Sequence, residues 1–163
     1  MLAEIIRSYD LILNEAYRLV ADIDGDQMVA QGTAKVNHPA WIIGHLVYSC
    51  QLLGGELGIP AWLPPDWSSR FATGTQPVSH TSCYPSKAEL VDALHDGRDR
   101  LISRLSVLKE ADLDAPLPDE RCRAVLPTLG QAVLHILTVH TAYHVGQISA
   151  WRQLMELPRV PVE

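Results

Sequence analysis

Hydrophobic and polar residues follow a helical repeat in four separate stretches of this chain. In each stretch, apolar side chains recur three or four positions apart, the interval that places them on one face of an α-helix. Glycine, proline and acidic residues, which are typical of helix ends and loops, separate the stretches. The pattern predicts four amphipathic helices, over about residues 2–22, 39–57, 87–108 and 129–156.

Local signals support the starts of the last three helices. Pro39 fits the first turn of the second helix, where its missing N–H costs no hydrogen bond, and Asn37 or His38 can cap that helix. Capping boxes, in which the cap residue and the third helical residue bond to each other's backbone, are predicted for the third and fourth helices. The residue pairs are Ser86 with Glu89 and Thr128 with Gln131.

A long connection, residues 58–85, joins the second helix to the third. Its prolines predict a segment without regular structure. Its aromatic residues, which a disordered linker would lack, predict a loop that packs onto the body and serves a function. The fold class that follows is all-α: one domain over 1–163, built as a four-helix bundle with a long crossover between helices 2 and 3. Those two helices need not be antiparallel neighbours.

Composition narrows the class of protein. The 163 residues are 47% apolar and 20% charged, with a net charge of -6 and no run of Lys or Arg, so we expect no nucleic-acid partner. No apolar stretch is long enough for a membrane span, and the N-terminus predicts a soluble helix rather than a signal peptide. Three scattered cysteines without a Cys-x-x-Cys pair favour a reducing, cytoplasmic location.

Two histidines lie on the apolar face of the fourth helix. His140 and His144 are one turn apart, and at about 100° per residue they share the face of Val133, Leu137 and Trp151. Burial of two imidazoles is unfavourable unless their nitrogens find partners, and one metal ion satisfies one nitrogen of each. By the same geometry His135 lies about 140° away, so we expect it to face solvent or a subunit contact.

The second helix offers a third imidazole. Its predicted core-facing row contains Trp41, His45, Tyr48 and Leu52. Three neutral imidazoles around one ion leave a coordination position open, as in catalytic rather than structural zinc sites. The alternative is that each histidine is an ordinary, hydrogen-bonded core residue.

The remaining candidates fit less well. We expect His38 to cap the second helix and His95 to lie on an acidic, solvated face. Cys50 lies about 140° around the helix from His45 and is not expected at the site. The chain contains no His-Glu-x-x-His and no Glu-x-x-His, which argues against a zincin protease and a di-iron carboxylate bundle.

Several motifs together resemble the DinB-like (damage-inducible) metalloprotein superfamily. They are NHPAWIIGHL on the second helix, YPSKAEL and LPTLGQAVLHILTVH at the starts of the third and fourth, and HTAYHVGQISAWRQLMELP on the fourth. The resemblance implies a four-helix bundle with a three-histidine site for a divalent metal, zinc or nickel, and a homodimer. Carried onto this chain, the ligands are His45, His140 and His144. Some relatives are thiol-dependent S-transferases or maleylpyruvate isomerases, which implies a low-molecular-weight thiol as cosubstrate, and others have no known activity.

Three functional hypotheses remain open at this point. The first is a metal-dependent enzyme acting on a small molecule, of thiol S-transferase or hydrolase type, in which Gln147 orients the substrate or a ligand imidazole. The second is a non-catalytic metal- or ligand-binding protein of the stress response. The third is a bundle with purely structural histidines and a dimer interface at small residues of the fourth helix. Arg152 is expected at the surface or an interface as readily as at the site.

Overall fold

The computed structural model describes residues 1–32 and 36–161, and within them the prediction of an all-α fold is confirmed. Short 3₁₀ turns at Gln27–Val29, Thr81–Cys83 and Glu120–Cys122 lie in the connections. A six-residue π-helix, His135–His140, stands between two α-helical parts of what was predicted as one α-helix. The α-helices are α1 (Leu2–Ala21), α2 (Pro39–Glu56), α3 (Trp67–Phe71), α4 (Lys87–Leu105), α5 (Glu110–Leu113), α6 (Leu129–Leu134) and α7 (Thr141–Leu154).

Four long elements form the bundle: α1, α2, α4 and the continuous rod of α6, the π-helix and α7. Helix α2 packs against α4 and α7, and α1 packs against α7. Helices α2 and α4 run parallel. At their starts Ala40 and Lys87 line one cavity, and at their other ends the Arg104 side chain donates to the Leu57 carbonyl at 2.8 Å. Parallel neighbours require a long crossover, which residues 58–85 supply.

Helix α2 is buried on nearly all sides rather than on one stripe. Ile42, Ile43 and Val47 are fully buried, and so is most of the helix between Pro39 and Gly54. The predicted row through Leu52 is wrong at its end, since Leu52 is 54% exposed. A helix enclosed by α4, α7 and the crossover has no single apolar face, so its periodicity could not identify one.

The crossover packs onto the bundle, as its aromatic residues predicted. Trp67 and Phe71 are buried, and their rings contact each other with centroids 4.9 Å apart. The prediction of no regular structure is wrong here, because the segment between the prolines forms the short helix α3. Pro64 and Pro65 precede that helix, where proline is tolerated, so they do not prevent it.

The helix ends follow local chemistry. His38, not Asn37, is the cap of α2, and its Nδ1 accepts from the Trp41 N–H at 3.1 Å. The reciprocal capping box of Ser86 and Glu89 is present at α4. At α6 only half of the predicted capping box forms: Thr128 accepts from the N–H of Gln131, and the Gln131 side chain does not return a bond to Thr128. Helix α4 ends three residues before the predicted position because the chain tightens there into turns that bond residues three apart.

Arg152 is buried, which corrects the expectation of a surface position. Its side chain is 4% exposed and donates to the Leu19 carbonyl at 2.8 Å and to the Asp22 carboxylate at 2.9 Å. It also bonds to the Pro158 carbonyl. Arg152 therefore ties the end of α7 to the end of α1. Of the helices in the two described ranges, none combines the length and apolarity of a membrane span.

Candidate metal centre

His45 is held in the middle of α2 by residues of the crossover. Gly44 has no side chain, so the Phe71 ring packs directly on the α2 backbone there. This close approach brings the Phe71 carbonyl to 2.7 Å from His45 Nδ1. Trp41 stacks on the His45 ring with centroids 4.9 Å apart, and its indole N–H donates to Thr75 of the crossover at 3.0 Å. The crossover thus fixes both the position and the rotation of this imidazole.

The π-helix sets the positions of the other two imidazoles. A π-turn bonds residues five apart, so His135 and His140 come onto similar faces, with ring centroids 6.3 Å apart. Thr141 is buried and its hydroxyl donates to the carbonyl of Ile136, five residues earlier, at 2.7 Å. The expectation that His135 faces away from the site is therefore wrong, because it assumed uniform α-helical rotation. His135 lies at the edge of the pocket, half-buried.

The structure brings His45, His140 and His144 together. Nε2 of His45 lies 3.1 Å from Nε2 of His140, and one nitrogen from each ring lies within 4.8 Å of the others. The three ring centroids are 4.5 to 5.1 Å apart. These are the three residues selected from the sequence.

Hydrogen bonds set the protonation of two of the rings. The Phe71 carbonyl can only accept, so Nδ1 of His45 carries the proton and Nε2 keeps a lone pair. Nδ1 of His144 likewise donates to the side-chain oxygen of Gln147 at 3.1 Å. Nε2 of His144 then keeps a lone pair for a cation, and Nε2 of His45 keeps one that faces Nε2 of His140 at 3.1 Å. This is the usual outer-shell arrangement of a metal-binding histidine.

The imidazoles are neutral at physiological pH. Burial lowers the pKa of His140 to about 3, with a further contribution from the neighbouring histidines. Burial and His45 lower the pKa of His144 to about 4. The pKa of His45 is also lowered by burial. Neutral imidazoles with exposed lone pairs are the form that binds transition metals.

The donor set fits a divalent transition metal. Two ligand nitrogens about 2.0–2.1 Å from a tetrahedral ion lie about 3.4 Å apart, close to the 3.1 Å between His45 and His140. Nδ1 of His140 is buried and has no hydrogen-bond partner among the described residues, so this ring is the least satisfied of the three by protein alone. Imidazole donors suit zinc, copper, iron and nickel, so the donor set leaves the metal open among these.

A pocket of about 370 Å³ opens beside the three imidazoles. Helix α2 contributes Trp41 and His45, the crossover contributes Thr73 and Gly74, and the fourth rod contributes the remaining residues. Among these lining residues there is no Asp, Glu, Lys or Arg. Val139 and Tyr143 at the mouth are 60% and 65% exposed. The cleft is thus largely apolar, with the imidazole nitrogens as its principal polar groups.

Other candidates from the sequence lie elsewhere. Both ring nitrogens of His38 are used, one by the cap and one by the Val78 carbonyl, so it is not a ligand. His95 is exposed and stacks on Tyr17. Cys50 is buried, and its Sγ lies 3.2 Å from the hydroxyl of Tyr9. These placements agree with the expectations for His38 and Cys50 and add a stacking partner for His95.

Sequence reasoning missed three contributors to the site. The Phe71 carbonyl is a backbone group and has no sequence signature. Asn37 was considered only as a helix cap, but its side chain donates to Gln147 at 3.2 Å. For Thr141 the sequence held a weak signal of the change in helix type. This residue continues a row of buried positions at a constant spacing of four, namely Leu129, Val133 and Leu137, and that spacing is wider than an α-helical turn.

The fold and site define an all-helical bundle with three histidines that can hold a metal ion on facing helices. A protein-family model described as the DinB superfamily matches residues 9–148, and this chain belongs to that superfamily. The resemblance seen in the sequence motifs is thereby confirmed at the level of the superfamily. A search of curated proteins finds no match.

Proposed function

We propose that this chain binds one divalent transition metal ion, zinc or nickel, through His45, His140 and His144. The supporting observation is that Nδ1 of His45 and Nδ1 of His144 each donate to an acceptor, which leaves the lone pair on Nε2, while one nitrogen from each of the three rings lies within 4.8 Å of the others. Burial keeps all three rings uncharged. Three protein ligands next to an open pocket match a catalytic rather than a closed structural site.

We further propose a metal-dependent enzyme acting on a small molecule, of thiol S-transferase or hydrolase type. A divalent ion held there supplies Lewis acidity, which favours deprotonation of a thiol or of water. The protein's own residues shape what can enter: the Trp41 wall and the absence of ionic side chains among the lining residues favour substrates with an apolar body. A low-molecular-weight thiol is the proposed cosubstrate in the S-transferase case. Gln147 acts by orienting His144 rather than by touching substrate.

Metal analysis of untagged protein tests the binding proposal. We expect close to one equivalent of metal in the wild type and loss of tight binding in H45A, H140A and H144A. H80A is the matched control, because His80 is exposed on the crossover. Less than a tenth of an equivalent in the wild type, with no uptake on titration, would contradict metal binding. Wild-type affinity in one histidine variant would remove that residue from the ligand set.

Assays with small molecules separate catalysis from simple binding. Loaded protein is offered a panel of thiols with chlorodinitrobenzene, and separately a panel of esters. Turnover that depends on His144 supports the enzyme. Full metal occupancy without turnover supports the second candidate, a non-catalytic metal- or ligand-binding protein. The homodimer and the cytoplasmic location remain proposals, and sedimentation tests the first.

A further inference from the structure

One hydrogen-bonded chain links the start of α2 to a proposed ligand on α7. Nδ2 of Asn37 donates to Oε1 of Gln147 at 3.2 Å, and Nδ1 of His144 donates to the same oxygen at 3.1 Å. We propose that Asn37 is a positioning residue of the metal centre, which acts through Gln147 to present Nε2 of His144. This inference rests on the proposed function, because it assigns a role within the same site.

The two ends of a carboxamide make opposite kinds of hydrogen bond. A glutamine side chain can present its oxygen, which only accepts, or its NH₂ group, which only donates. With the oxygen facing His144, Nδ1 must carry the proton and Nε2 is free to bind a metal. With NH₂ facing His144, Nδ1 must accept, the proton moves to Nε2, and ligation through Nε2 is blocked. In the structure the Nδ2–H of Asn37 donates to that oxygen, and this bond stabilises the first orientation.

Asn37 is well placed to exert this control. It directly precedes the cap residue His38 and Pro39, so its backbone is anchored to the first turn of α2. Its side chain is half-buried and reaches Gln147, which lies one turn beyond His144. The contact crosses between two helices that each contribute proposed ligands. It therefore couples the spacing of α2 and α7 to the protonation of one imidazole.

The variant N37D gives opposite predictions for two mechanisms. A carboxylate near a cation would tighten metal binding through charge alone. If Asn37 sets the orientation of the Gln147 amide, the carboxylate that replaces it can only accept a hydrogen bond. It then attracts the NH₂ group of Gln147, which also comes to face His144. Nδ1 of His144 must then accept, so the His144 proton moves to Nε2. We expect zinc binding to weaken about 10- to 100-fold, the range for outer-shell changes. N14D is the matched control, since Asn14 is exposed on α1 and undergoes the same change of charge.

Nitrogen NMR of the metal-free protein supplies a readout independent of metal. At pH 7.5 we expect His144 to be protonated on Nδ1 in the wild type and N14D, and on Nε2 in N37D. An unchanged tautomer in N37D, or zinc binding as tight as in N14D or tighter, would overturn the proposal. If the wild type takes up no zinc, the proposed function fails, and the tautomer comparison still decides whether Asn37 sets the state of His144.

A double-mutant cycle keeps the proposal testable if N37D folds poorly. Glutamate at position 147 has two accepting oxygens, so its orientation no longer matters. We expect N37A to weaken zinc binding severalfold in the Gln147 background and to have less than half that effect, on a logarithmic scale, in the Q147E background. An equal loss in both backgrounds would show that Asn37 does not act through the amide and would overturn the proposal.

Discussion

Gly44 is the position at which a single methyl group should damage the metal centre most selectively. A Cβ added there overlaps the buried ring of Phe71. Phe71 has little freedom to move, because it is fully buried and packs against Trp67 and Tyr84 with ring centroids 4.9 and 5.7 Å away. The same residue holds Nδ1 of His45 through its carbonyl. The substitution G44A therefore forces apart two segments that the site needs together.

The size of the effect follows from the geometry. Carbon atoms in contact lie about 3.5–4.0 Å apart, so the ring or the helix must shift by about 1–2 Å. Overpacking of this kind costs about 1–3 kcal/mol of unfolding free energy. Loss of the 2.7 Å bond to the Phe71 carbonyl frees the His45 ring to rotate. Removal of such an outer-shell bond weakens metal affinity about 10- to 100-fold.

Chemical denaturation and zinc titration measure the two consequences. The matched control is G55A, on the same helix, where an added Cβ meets nothing within 4 Å. There we expect unchanged affinity and a gain of up to about 1 kcal/mol, because alanine favours helix over glycine. If G44A proves as stable as G55A and binds zinc equally well, the close approach of Phe71 does not position His45.

Three further predictions concern the rest of the site and core. T141V removes the hydrogen bond from the Thr141 hydroxyl to the Ile136 carbonyl. We expect weaker zinc binding and lower thermal stability than in the control T138V, because Thr138 is more exposed. Equal effects would contradict a special role for Thr141. Burial lowers the pKa of His140 to about 3 and that of His144 to about 4, so below the ordinary pKa of 6.5 the unfolded chain binds more protons than the folded protein. Denaturation of the metal-free protein should therefore show an unfolding free energy that is constant above about pH 6.5 and falls toward pH 4. An unfolding free energy that does not change with pH would contradict the buried neutral state of these rings. Burial raises the pKa of the Cys50 thiol to about 11, while Cys83 and Cys122 are exposed. A thiol reagent should therefore modify Cys83 and Cys122 in the native protein and Cys50 only after unfolding. Rapid modification of all three would contradict the burial of Cys50.

Much of the fold and the proposed ligand set could be predicted from the sequence because both depend on local periodicity. The amphipathic repeat located the four long helices, and hydroxyl caps such as Ser86 marked their starts. His140 and His144 are one turn apart on the same rod, so their common face needed no knowledge of distant contacts. The motifs around them also identified the superfamily that the family model confirms.

Other features depended on contacts between segments far apart in the chain. The rotation of the π-helix places His135 at the pocket, and a count at 100° per residue cannot see a change in helix type. Because α4, α7 and the crossover enclose α2, the apolar residues of this helix do not form a single stripe, and the row predicted from them ends at Leu52, which is exposed.

Periodicity reports which way a side chain points on its own helix. It was enough to predict four helices and the inward-facing pair His140 and His144, to which the DinB-like motif around His45 added the third imidazole. Tertiary structure alone decided how those imidazoles are oriented, through a carbonyl 26 residues from His45 and an amide of Asn37 that lies 110 residues from Gln147. Hydrogen bonds of this kind require atoms within about 3 Å, and only the packed bundle brings such distant groups that close.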